Sequence, residues 1–91
     1  MLTQYKIHKA GRIDQVIRDF FNDNSSINEV QAKELMVLFI SKNLFNKNHR
    51  DGLPIRSFLR ELDKENRLDL IQNCKVIRNI KNRNWYFIRN S

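Results

Sequence analysis

Apolar residues along this chain of 91 residues fall into blocks whose period changes from segment to segment. Ile13, Val16, Ile17, Phe20 and Phe21 recur at i, i+3, i+4, i+7 and i+8, so five apolar side chains share one helix face. Asp14, Arg18 and Asp19 take the other face. A first helix over residues 12–22 follows, ended by Asn22-Asp23-Asn24-Ser25. Ahead of it, Tyr5 and Ile7 alternate with Gln4, Lys6 and His8, which predicts a strand or ordered arm over residues 1–10, broken by Ala10-Gly11. Ser26-Ile27-Asn28-Glu29 has the form of a capping box. It opens a second helix over residues 27–44, apolar almost all round from Leu35 to Ile40, with Gln31-Ala32-Lys33-Glu34 leading in.

Phe45–Gly52 is a polar, basic connection, and Asp51-Gly52-Leu53-Pro54 marks a turn into a third helix. Pro54 suits that helix's first turn, where its missing N–H has no intrahelical partner to lose. Ile55, Phe58, Leu59 and Leu62 give the helical period over residues 54–66. Beyond Arg67 the period shortens. The β-rich runs 74–80 and 84–89 flank Lys81-Asn82-Arg83-Asn84, which predicts a hairpin with an asparagine-containing turn. Trp85 and Phe87 fall on one face of the return strand and Tyr86 on the other. The first strand alternates imperfectly, because Arg78 shares a face with Val76 and Ile80. The expected class is therefore α+β: mainly α, with three helices in a single domain over residues 1–91 that ends in a C-terminal hairpin.

Composition narrows this reading. Two glycines and one proline are too few for a many-stranded sandwich or barrel. Leu, Ile, Val and Phe supply 29 residues, enough for one core at this length. The longest apolar run, Leu35–Ile40, is far short of the roughly 20 residues of a membrane span. The first fifteen residues carry Lys6, His8, Lys9, Arg12 and Asp14, unlike a secretory signal. A single cysteine, Cys74, leaves no internal disulfide and no multi-cysteine zinc site. A cytoplasmic domain without membrane association is expected.

The net charge of +7 is unevenly placed. Residues 1–45 hold six basic and five acidic residues, whereas residues 46–91 hold eleven and five. Such a basic half most often faces a polyanion, nucleic acid above all; the alternative is a basic surface serving solubility alone. On the third helix, the face opposite Ile55, Leu59 and Leu62 presents Arg56, Ser57, Arg60, Lys64 and Arg67, with Glu61 and Glu65 toward one flank. Arginine can read guanine O6 and N7, and lysine and serine can hold phosphates. The same face also fits a solvated surface with acids and bases paired at i, i+4. From Leu70 to Ser91 there are five basic residues and no acid. Lys81, Asn82 and Arg83 at the turn could meet a phosphate backbone or a narrow minor groove, or could simply discourage edge-to-edge pairing.

Three helices followed by a hairpin resemble the winged helix-turn-helix superfamily, by layout from Arg12 to Arg89. The resemblance implies that 54–66 is the recognition helix lying in the major groove and that Ile80–Trp85 is the tip of the wing. The chain departs from that family in two places: Phe45–Leu53 is longer than the usual tight turn, and no strand is evident between the first two helices. Ser25–Ile27 or Tyr5–Ile7 could supply one.

Other chemistry finds little support. His8 and His49 have no second ligand at helical spacing, no glycine-rich phosphate loop exists, and no carboxylate pair or oriented base is visible. No cofactor, no metal and no catalysis are expected, and a small RNA-acting toxin lacks its acid–base constellation. Trp85-Tyr86-Phe87 reads as core with Tyr86 outermost, and Cys74 as a small buried hydrophobe. The expectation is a small nucleic-acid-binding protein, for duplex DNA, acting as a transcriptional regulator or accessory factor; a homodimer is possible. The alternative is an interaction module for an acidic partner, for which exposed Tyr5, Leu44, Phe45 and Leu53 would be the apolar patch.

Overall fold

A computed structural model describes residues 2–90; the ends of the expected domain, residues 1 and 91, lie outside the described residues. The first helix, α1, runs over Gln4–Asp23 and so replaces the arm expected over residues 1–10. Thr3 caps it, its Oγ1 accepting the Lys6 N–H at 3.2 Å. Gly11 does not interrupt the helix. It faces solvent, with nothing within 4 Å of where a Cβ would stand, so its cost is only the roughly 1 kcal/mol of a mid-helix glycine. Ala10, Ile13, Val16, Ile17 and Phe21 form the buried stripe.

The helix expected over residues 27–44 is divided. Glu29–Gln31 forms a short strand, β1; Ala32–Leu35 is a 3-10 turn; and only Met36–Ser41 is α-helix, α2. Ser26 and Glu29 belong to no helix, so the capping box is not used. The reason is a distant one: Glu29, Val30 and Gln31 pair antiparallel with Ile88, Phe87 and Tyr86, which buries Val30 in the core. A pairing that inserts Val30 beside fully buried Phe87 outcompetes one more turn of helix.

The third helix, α3, spans Leu53–Lys64 and buries Ile55, Phe58, Leu59 and Leu62 as its period requires. Its start is fixed by Gly52, at φ +88°. A Cβ there would lie 2.4 Å from the Cβ of Lys33, so only glycine lets the 3-10 turn approach so closely. The hairpin forms over β2 (Cys74–Arg78) and β3 (Trp85–Arg89), with Val76 opposite Phe87 and Arg78 opposite Trp85. The sheet order is β1-β3-β2, with β3 in the centre. Its inner face contributes Val30, Cys74, Trp85 and Phe87 to one core shared with all three helices. Arg78 ends that inner face by stacking, its guanidinium 5.6 Å from the Trp85 ring centroid.

Asparagine explains how the elements end. At α2, the Leu44 N–H reaches the Phe39 carbonyl (2.9 Å) and the Asn43 N–H that of Ile40 (2.9 Å), with Asn43 at φ 62°. At α3, the Arg67 N–H reaches Leu62 (2.8 Å) and the Asn66 N–H reaches Asp63 (3.0 Å), with Asn66 at φ 57°. Both are Schellman closures with asparagine in the left-handed position.

Candidate nucleic-acid interface

The turn that joins β2 to β3 is held by its own asparagines. Asn79 donates its N–H to the Asn84 carbonyl (2.8 Å) and accepts the Arg83 N–H on its own (2.7 Å). The Asn79 Oδ1 accepts the N–H of Lys81 at 2.9 Å, and the Asn82 Oδ1 that of Asn84 at 3.0 Å. Lys81 and Arg83 project from this ordered tip and are exposed. Asn82 is also exposed, but its side chain is engaged within the hairpin, Oδ1 accepting the Asn84 N–H and the side chain also hydrogen-bonding the Tyr86 hydroxyl.

On α3, Ser57, Arg60 and Lys64 stand together on the exposed face, at the i, i+3 and i+7 positions of one shallow trough flanked by Glu61 and Glu65. Glu61 is met from α1 by Lys6, which forms an ion pair with it and offsets one of the two acids on that flank. Arg56 is half-buried, with its Nη2 donating to the Arg50 carbonyl at 2.6 Å, so it braces the loop ahead of α3. Arg67 lies past the helix end and pairs with Asp69 at 3.3 Å. The expected stripe therefore separates into an outward group (Ser57, Arg60, Lys64) and two arginines already engaged by the protein.

Other cations are also drawn inward. Arg89, one of the five basic residues of the hairpin segment, donates through Nη2 to the carbonyls of Phe21 (2.8 Å), Asn24 (2.8 Å) and Ile27 (2.7 Å). Its guanidinium also stacks on the Phe21 ring at 4.9 Å. It thus satisfies the carbonyls where α1 ends, the terminus that favours positive charge. Lys9 sits over Phe45, 4.1 Å from the ring centroid, with Phe58 at 5.7 Å and Tyr5 at 5.8 Å. Burial, and then the neighbouring charge of Lys6, lower its pKa.

The rest of the expected chemistry is placed as follows. Trp85 and Phe87 are buried and Tyr86 is half-buried on the outer sheet face, its hydroxyl accepting from Gln31 Nε2 at 3.1 Å. Cys74 is buried and its thiol pKa is pushed up to about 12, by desolvation first and the nearby Asp14 charge second. Among the described residues, no cluster of three His, Cys, Asp or Glu side chains comes together as a metal site would require, and no helix is long and apolar enough to cross a membrane. The four apolar residues expected as a protein-binding patch are dispersed in exposure: Tyr5 is exposed, Phe45 and Leu53 half-buried and Leu44 buried.

One surface was not legible beforehand. The C-terminal half of α1 and the 3-10/α2 segment enclose an apolar groove lined by Val16, Phe20, Leu35 and Leu38, with Asp19, Asp23 and Glu34 at its rim. Val37 beside it is 70 % exposed. Its acidic rim is opposite in charge to the tip of the hairpin and to the outward group on α3. Compared with protein-family models, with curated proteins and with solved structures, the chain finds no match in any of the three.

Proposed function

We propose that this chain is a winged-helix nucleic-acid-binding protein that lays α3 along duplex DNA and touches the backbone with the tip between β2 and β3. The observation that carries this reading is the division of the cations. Arg56 and Arg89 are engaged by backbone carbonyls and exposed Arg67 pairs with Asp69, whereas Arg60, Lys64, Lys81 and Arg83 are exposed on the two elements a winged helix uses. The element order α1-β1-α2-α3-β2-β3 supports the same reading, because β1 supplies the strand between the first two helices that such a domain normally has. In this role α3 supplies base and phosphate contacts and the tip holds phosphates. The protein acts without catalysis, as a cytoplasmic transcriptional regulator or accessory factor.

Fluorescence anisotropy of a labelled random duplex, titrated at several salt concentrations, tests the proposal. Displacing counterions from about five phosphates gives a log–log slope near −4 to −5. Absence of binding at low salt sinks it, and a partner for the acidic-rimmed groove then becomes the leading question.

A further inference from the structure

We propose that Ile80 is a wedge: the hairpin tip inserts it into the minor groove of duplex DNA and kinks the duplex there. The proposal rests on the DNA reading above and adds to it a deformation of the DNA and the residue that causes it.

Ile80 is 91 % exposed, against 70 % for Tyr5 and Val37. It is the first residue of the apex, directly after Asn79, whose backbone and side chain together hold the turn. The isoleucine is thus presented on a preformed, hydrogen-bonded scaffold. Arg78 and Arg83 line a shallow depression with it, and Lys81 follows it in the chain. The Arg78 guanidinium is steadied against the Trp85 ring at 5.6 Å. No acid occurs between Leu70 and Ser91. An aliphatic tip ringed by three cations and no acid matches one chemistry closely. The side chain presses between base pairs from the minor groove, unstacking a step, while the cations hold the phosphates on either side. The narrow minor groove of B-form DNA suits such a tip, whereas the wide, shallow minor groove of an RNA helix gives it nothing to wedge into.

The test uses the full chain and a duplex of about 30 base pairs carrying a donor and an acceptor dye at its ends. Wild type and Ile80→Ala are compared for affinity, for salt slope and for the end-to-end transfer efficiency at saturation. The substitution removes no charge and no side-chain hydrogen bond of the turn, and circular dichroism checks that the fold is unchanged. Wild type is expected to raise the transfer efficiency on binding, and Ile80→Ala to keep the salt slope while losing the bend. A single-nucleotide gap removes part of the stacking to be broken, so wild type should bind the gapped duplex about tenfold tighter than the intact one and Ile80→Ala should not discriminate. Salt-dependent binding with the same bend in both proteins would overturn the wedge and leave the DNA reading standing. Duplex RNA bound more tightly than duplex DNA by wild type, with that preference lost in Ile80→Ala, would overturn it as well, and no binding by either overturns both readings together.

Discussion

Asp14 holds Asn73 with both carboxylate oxygens: Oδ1 accepts the Asn73 N–H at 2.8 Å and Oδ2 the side-chain amide at 2.7 Å. The residues are 59 positions apart, and the contact fixes the residue just before β2 to the middle of α1. Among the described residues Asp14 is also the one charged side chain that is buried, 8 % exposed, although helical spacing assigns it to the polar face. Removing it by Asp14→Ala deletes both hydrogen bonds to the exposed Asn73 and is expected to cost about 1–2 kcal/mol. Asp14→Asn, which retains one acceptor, should cost about half as much. Urea denaturation of the three proteins measures both values, and equal stability of Asp14→Ala and wild type would show that water replaces the carboxylate.

The same corner sets a pH dependence. The folded Cys74 thiol has its pKa raised from 9.0 to about 12, so the folded state holds this proton more tightly than the unfolded chain does. The associated stability is complete below pH 9 and is lost as the pH rises from there toward 12. Comparison with Cys74→Ala isolates this effect from the lysines and tyrosines that titrate in the same range. Between about pH 8 and pH 10.5 wild type should lose roughly 1–2 kcal/mol more than the variant. Parallel losses in the two proteins would mean that the folded thiol ionises normally.

Asn43 and Asn66 both close helices in the left-handed conformation, at φ 62° and 57°. Glycine takes that conformation at less steric cost, while alanine resists it. Asn66→Gly is expected to be neutral or to stabilise by a few tenths of a kcal/mol, and Asn66→Ala to destabilise by about 1 kcal/mol. Thermal melts of the pair decide this, and Asn43 should give the same order.

These closures also show where the chain could be read in advance. The apolar period of Ile55, Phe58, Leu59 and Leu62 marks α3 to within two residues, because its buried stripe and its turn signals all lie within the segment itself. The hairpin is equally local, built on Asn79, Asn82 and Asn84 between two β-rich runs. β1 was not legible, because Glu29–Gln31 becomes a strand only through β3, more than fifty residues away. The burial of Asp14 was hidden for the same reason. In the candidate interface, exposed Arg60 and Lys64 follow from helical spacing alone. The diversion of Arg56 to the Arg50 carbonyl depends on a loop whose Arg50 and Asp51 adopt positive φ, which spacing does not encode.

Arg89 separates charge from function within the hairpin. Because its guanidinium bridges three carbonyls and stacks on Phe21, Arg89→Ala should cost about 2–3 kcal/mol of stability. Arg89→Lys should recover little of it, since an ammonium lacks both the second donor that Nε gives to the Ile27 carbonyl and the flat group that stacks on Phe21. Both variants, measured below their melting temperatures, should bind duplex DNA with the wild-type salt slope. A slope reduced by about one unit would instead place Arg89 on the phosphates.

Arg60 and Lys64 should behave in the opposite way. Both are exposed on α3 and face away from its buried stripe. Replacing either by alanine should shift stability by less than about 0.5 kcal/mol, within the range of ordinary surface changes. If Lys64 holds a phosphate, Lys64→Ala should weaken binding uniformly across sequences and reduce the salt slope by about one unit. If Arg60 reads a base, Arg60→Ala should cost about 1–3 kcal/mol on a selected site and much less on random duplex. Arg56 is the internal comparison. Its substitution should disturb the loop before α3 and so lower stability as well as affinity, because the Arg50 carbonyl loses its donor. Binding that falls for Arg56→Ala only in proportion to unfolding would leave Arg60 as the base-reading arginine of α3.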